Sequence, residues 1–209
     1  MSIMPGTDWN RLPEDTVIEK TVEGMRKRNF NPMVVEDGEA ALDVLRRIIP
    51  SGKEVMTGSS TTLEEIGFIP LLIAGQHPWR NWKDIILTEK DKTRQALLRR
   101  QAVAANYFLG SVQAITESGL VVAVDATGSR NGGYVYPAQH VIWVTGTNKI
   151  VRDLNMASQR VYEHCLPLED ERQKKTGGKG TKIGKVVFYE YESVPERITT
   201  ILIKRKLGY

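Results

Sequence analysis

Four polar stretches of this 209-residue chain carry residue types suited to chemistry on an anion: TGSSTT (57–62), TESG (116–119), DATGSRNGG (125–133) and TGTNK (145–149). In the first, Gly58 lets the backbone approach a ligand closely, while Ser59, Ser60, Thr61 and Thr62 supply hydroxyl donors. Successive backbone N–H groups leading into a helix favour a phosphate or carboxylate. The same residues also fit a plain capped turn, with Thr61 or Thr62 as N-cap and Glu64 or Glu65 closing a capping box. The P-loop lysine is missing, which argues against nucleotide hydrolysis of that kind.

Two carboxylates stand beside glycine turns. Glu117 precedes a strand candidate and Asp125 lies near its end. Either could serve as nucleophile or general base in a cleft. Alternatively, Glu117 is solvated and Asp125 caps a turn. Gly128, Arg130 and Asn131 follow, and the planar fork of Arg130 suits an anionic group. Asn148 and Lys149 share the last loop, where a lone lysine is most often a surface charge.

Other reactive residues point to less. His77, His140 and His164 are far apart and lack ligand spacing, so no metal site is expected. Cys165 follows His164, but adjacent helical residues do not face each other, which favours a buried, inert cysteine. The Gly- and Lys-rich stretch 172–185 lacks interleaved aromatics and reads as a solvated loop rather than a nucleic-acid surface.

The net charge of +4 and pI of about 9.1 fit an anionic small molecule or nucleic acid without deciding between them. One cysteine permits neither an internal disulfide nor a cysteine-held metal cluster, and fits a reducing compartment. No signal-peptide core and no run of about 18 apolar residues occurs, so a cytoplasmic protein without a membrane partner is expected.

These stretches need elements to hold them. Helical spacing covers 8–30, 39–49, a segment from Thr62 that breaks near Pro70, 89–105 and 151–167. Strand candidates are NPMVV, KEVMTG, NYFLGS, GLVVAVDATG, HVIWVTG, VVFYEYES and the segment RITTILIKRKLGY; residues 76–86 read as irregular. The continuous apolar runs suggest strands buried on both faces. Strands alternating with helices predict an α/β fold: a Rossmann-like, open, mostly parallel sheet with helices on both faces. Ligands of such sheets sit beyond the carboxyl ends of the strands, where the polar stretches fall. Residues 1–14 read as an N-terminal extension and 15–209 as a single domain.

Together, MTGSSTTLEEIG, ANYFLGSVQAITESGLVVAVDATGSRNGG, VIWVTGTNKIV and RITTILIKRKLGY resemble the LUD domain, the lactate-utilisation family, over residues 15–209. The resemblance implies a fold like that of ribose-5-phosphate isomerase, glucosamine-6-phosphate deaminase and the coenzyme A transferases. It implies that Gly58–Thr62 holds a phosphate or carboxylate. Glu117-Ser118-Gly119 looks like the E-x-G turn that carries the nucleophile of coenzyme A transferases, and Asn148-Lys149 matches the family pattern. Many LUD proteins carry a cysteine-rich segment suited to an iron–sulfur cluster; the comparable stretch here, KKTGGKGTKIGK, has no cysteine.

The expectation is an anionic metabolite (carboxylate, sugar phosphate or coenzyme A-like) in a cleft between Gly58–Thr62, Glu117, Asp125–Asn131 and Asn148–Lys149. Glu117 would be nucleophile or base, with Lys149 and the hydroxyl loop stabilising developing negative charge. A second expectation is a non-catalytic subunit or regulator of a lactate-oxidising complex whose partner proteins carry iron–sulfur or flavin centres. Nucleic-acid binding is the weakest of the three. No cofactor is expected on this chain: the absence of a G-x-G-x-x-G fingerprint leaves a nicotinamide unsupported, and Cys165 alone cannot hold a cluster. The sequence leaves the oligomeric state open, a homo-oligomer included.

Overall fold

The computed structural model describes residues 7–209. Residues 1–6 of the expected N-terminal extension lie outside the described residues. Of the rest of that extension, Trp9 packs partly buried against a core cluster that includes Ala114 and Val161.

The main sheet is parallel throughout, in the order β1 (Asn31–Val35), β10 (Ile198–Ile203), β7 (His140–Gly146), β4 (Tyr107–Gly110), β2 (Glu54–Thr57) and β3 (Arg80–Asn81). A smaller sheet runs β8 (Ile150–Val151), β5 (Ala114–Thr116), β6 (Val121–Asp125) and β9 (Lys185–Tyr189), with β6 antiparallel to both neighbours. The helices are α1 (Asp15–Lys27), α2 (Gly38–Ile48), α3 (Thr61–Glu65), α4 (Phe68–Ile73), α5 (Trp82–Thr88), α6 (Lys92–Gln101), α7 (Ser129–Val135), α8 (Leu154–Arg160) and α9 (Leu166–Lys175). None is long and apolar enough to cross a membrane.

Side chains alternate across a strand, and β7 shows why HVIWVTG reads as one apolar run. Val141 and Trp143 enter the core shared with α1, α7 and the smaller sheet. Ile142 and Val144 enter the opposite core, shared with α2, α3 and α4. Phe108 and Leu109 of β4 divide in the same way. The main sheet is therefore an α/β layer covered on both faces, as expected.

The second sheet was not expected. The run GLVVAVDATG forms β6, which lies outside the main parallel sheet. Val121 and Ala123 face the core around Trp143, while Val122 packs with Ala157 and Val161 beneath α8. A strand covered on both sides looks the same in sequence whichever sheet it joins.

Three local readings also change. The helix after TGSSTT breaks at Gly67, with φ of 81°, and not at Pro70, which sits in the first turn of α4 where its missing N–H costs nothing. Residues 76–86 hold β3 and the start of α5, which Asn81 caps by accepting from the Lys83 N–H at 3.1 Å. The presumed loop at 172–185 is helical as far as Lys175.

Candidate functional site

A cleft of about 280 Å³ opens where β2, β4 and β7 of the main sheet end beside the end of β6. The turn after β2 contributes Gly58–Thr62, the end of β4 contributes Ser111, and the loop after β7 contributes Lys149. Asp125 and Arg130 come from β6 and α7. The remaining wall is α9 with Glu169, the loop at Thr181–Ile183, and Tyr209.

Lys149 is the most unusual group here, being only 1% exposed. A 3₁₀ turn at Thr147–Lys149 carries its side chain inward from the end of β7. Its Nζ donates to Thr62 Oγ1 at 3.2 Å and to Ser111 Oγ at 3.0 Å. Among the described residues it has no carboxylate within ion-pair distance. Burial, then Arg160, drive its pKa down to about 7, with Arg130 adding to the fall and Cys165 and Glu65 opposing it. Gly208 closes this chamber: a Cβ there would lie 2.5 Å from Thr62 Oγ1 and 3.3 Å from Lys149 Nζ.

The TGSSTT turn is both capped and part of the cleft. Ser60, not Thr61 or Thr62, is the N-cap of α3, accepting from the Leu63 N–H at 3.2 Å. With Ser60 at the cap, Leu63 falls where a capping box needs an acid, so Glu64 and Glu65 close none. Glu65 instead accepts from the Gly208 N–H at 2.7 Å. Gly58 is required because the Arg130 side chain crosses it, and a Cβ would lie 2.8 Å from Arg130 Cδ.

Asp125 does the capping work foreseen as its alternative role. Its carboxylate accepts from the backbone N–H groups of Thr127, Arg130 and Asn131 at 3.2, 2.7 and 3.1 Å. Gly128, with φ of 92°, makes the turn into α7 possible. Asn131 is buried and donates to the Ala123 carbonyl at 3.2 Å, so it braces α7 against β6. Arg130 donates to the carbonyls of Ser59 and Val124, while its Nε is buried and unpartnered. Asn148 is buried and does not line the cleft; its Oδ1 accepts from the Leu207 N–H at 3.2 Å and so holds the chain that leads to Gly208.

Sequence reasoning missed the groups behind the far wall. Between α8 and α9 the chain makes a π-turn, Val161–Cys165. Such wide turns bring residues five apart onto one side and cluster at functional sites. Arg160, fully buried, donates through Nη1 to the Gln113 carbonyl at 2.6 Å and to Cys165 Sγ at 3.0 Å. Its Nε and Nη2 have no partner, and no carboxylate of the described residues pairs with it. Cys165 lines the cleft, so it is buried as expected but not remote. Burial, then the nearby cations Arg160, Lys206 and Lys149, hold the His164 pKa down at about 4.

Glu169 is the one carboxylate of α9 in the cleft, and it is saturated. It accepts from Arg172 at 2.7 and 2.8 Å, from Gln173 at 2.8 Å, and from the Tyr209 hydroxyl. Burial alone would raise its pKa, but these bonds outweigh burial and hold it at about 2. Neither helical spacing nor loop composition marks a pair formed between α9 and a residue 40 positions away.

The structure does not bring Glu117 to the cleft. Its T-E-S-G stretch is the hairpin turn joining antiparallel β5 and β6, and Asp125 lies at the other end of β6, on the order of 15 Å along the strand. Glu117 pairs with Lys20 of α1 at 2.8 Å. The glycine of the turn is explained without a nucleophile. Gly119 has φ of 84° and packs on α1, where a Cβ would lie 2.3 Å from the Gly24 carbonyl carbon.

The LUD domain matches residues 18–207 of this chain. A solved structure of a DUF162 family protein from Deinococcus radiodurans superimposes with a TM-score of 0.57 at 10% identity, covering 92% of this chain and 99% of that one. At that identity the likeness speaks for the fold alone. eIF2B beta from Chaetomium thermophilum matches with a TM-score of 0.36 at 12% identity, over 66% of this chain and 48% of that one, too loosely to carry an argument. No curated protein matches.

Proposed function

Because the chain belongs to the LUD-domain family, we propose that it is a lactate-utilisation-type protein that binds a small anionic metabolite, recognised through a carboxylate, in the cleft at the strand ends. One observation carries this reading: Arg130 lines the cleft and Arg160 is buried behind its wall, and neither has a carboxylate partner among the described residues. An isolated buried charge is costly unless it is paired. Here two guanidinium nitrogens of Arg160 and Nε of Arg130 lack any acceptor. The acids that line the cleft are already engaged, Asp125 by backbone N–H groups and Glu169 by Arg172. An incoming anion would offset the cationic excess.

The volume narrows the ligand. About 280 Å³ falls at the lower end of the range for small-molecule pockets. A coenzyme A-like ligand would leave most of itself outside. Any iron–sulfur centre serving an oxidation in which the chain takes part would belong to a partner protein, since Cys165 alone cannot hold a cluster.

A thermal-shift series with L-lactate, glycolate, ribose 5-phosphate and acetyl-coenzyme A, at matched ionic strength, tests the reading. A ligand that binds only the native state raises the melting temperature. The small carboxylates are expected to do so in the natural protein and not in Arg130→Gln. Equal, negligible shifts for every anion would overturn the proposal.

A further inference from the structure

We infer that Lys149 is an amine nucleophile that captures the carbonyl carbon of a small 2-oxo acid as an imine. The inference rests on the reading of the cleft as an anion site and adds a reaction to it.

The geometry suits an uncharged amine. A neutral lysine has two N–H bonds and one lone pair, and Nζ has two hydroxyl partners, Thr62 and Ser111. Both N–H bonds are thereby used, leaving the lone pair for the cleft that Lys149 lines. The surroundings favour the same form. Burial, Arg160 and Arg130 act against the ammonium, and only Cys165 and Glu65 act for it. With a pKa of about 7, roughly half the amine is uncharged at neutral pH, where an ordinary lysine is almost wholly protonated. Desolvation and neighbouring cations are what activate lysine nucleophiles.

The same cleft selects the electrophile. The cations call for a carboxylate, and the amine calls for a carbonyl. In so small a volume both groups must belong to one compact molecule, and a 2-oxo acid is the simplest that carries them. The Nζ lone pair bonds to the carbonyl carbon, and the C–O π electrons move to oxygen. That oxygen takes up protons through the Thr62 and Ser111 hydroxyls, which also contact each other at 3.3 Å. Departure of water breaks the C–O bond and leaves C=N. In sum, amine and ketone give imine and water, and both amine hydrogens leave in the water. No oxidant or reductant is required.

Reductive trapping tests this. The full chain is incubated with pyruvate and cyanoborohydride near neutral pH, and the product is read by intact mass and peptide mapping. One reduced adduct on Lys149 is expected, forming roughly tenfold or more faster than on any other lysine. L-Lactate, which has the carboxylate but no carbonyl, is expected to slow the trapping. Lys149→Arg keeps a cation and is expected to lose the adduct; its circular dichroism reports whether it folds, and Ser111→Ala, expected to slow trapping, gives a second readout. Adducts scattered over surface lysines, or unchanged in Lys149→Arg, overturn the inference. If pyruvate and L-lactate both raise the melting temperature but no Lys149 adduct forms, the imine falls and the anion site stands. If neither shifts the protein and none traps, both fall.

Discussion

Arg160 Nη1 donates to Cys165 Sγ at 3.0 Å across the π-turn, which makes the chain's one cysteine the only side chain among the described residues that this buried guanidinium bonds to. Burial pushes the Cys165 thiol up, and Arg160, Lys149 and Arg130 oppose the rise. Burial is the larger effect, so the sulfur stays protonated at neutral pH. Ellman's reagent is expected to label the native protein roughly tenfold or more slowly than a small exposed thiol, and at the ordinary rate after denaturation. Rapid labelling of the native state would show that the cations prevail.

Lys149 imposes a pH dependence of definite sign. Its pKa falls from 10.5 in the unfolded chain to about 7 in the fold. Between those values the unfolded state binds more protons, so stability rises with pH through that window. The penalty is fully present below about pH 7 and is gone above the unfolded pKa. Lys149→Met removes it, and Thr62 and Ser111 can still bond each other. Urea unfolding is expected to find that variant more stable than the parent by about 1–4 kcal/mol near neutral pH, with the gap closing in alkali. A gap that widens with pH would contradict the assignment.

Glu117 and Asp125 make a contrasting pair. Glu117→Gln removes one partly exposed ion pair to Lys20 and is expected to cost less than about 1 kcal/mol, with pyruvate trapping and lactate binding unchanged. Asp125→Ala strips three backbone N–H groups at the start of α7 of their acceptor and is expected to cost about 1–2 kcal/mol. Denaturant midpoints for the two variants, set beside their trapping rates, separate a distant surface acid from a structural one.

Gly208→Ala probes the closure of the Lys149 chamber. The position has φ of 54°, and the new methyl would meet Thr62 Oγ1 at 2.5 Å. The expected result is a loss of about 1–3 kcal/mol, with displacement of the segment that carries Tyr209. Tyr209 bonds to Glu169, so Gly208→Ala is expected to change the tyrosine difference absorbance of the natural protein and not that of a Tyr209→Phe background.

How far the sequence could be read depended on the range of the contacts. The apolar run of β7 and the polar ends of β2, β4 and β7 are local patterns, so the parallel sheet and the Gly58–Thr62 and Lys149 walls were legible. Lys149 by itself looked like a surface charge; its burial depends on Ser111 and Gly208, 38 residues before it and 59 after it in sequence. Glu117 was misplaced because an E-S-G turn reads alike at either end of a strand, and only antiparallel pairing of β5 with β6 turns it away. Arg160 gave no signal, since helical periodicity assumes a regular turn and the π-turn after it is irregular.

The position of β10 in the main sheet carries a consequence for biosynthesis. β10 lies between β1 and β7, and among the described residues it is the only strand neighbour of β1, with Asn31 aligned to Thr199. Until the ribosome has released β10, β1 has no strand to pair with and one edge of β7 stays open. Unpaired strand edges template intermolecular pairing. Nascent chains that stall before Ile198 are therefore expected to aggregate more readily than chains in which β10 has emerged.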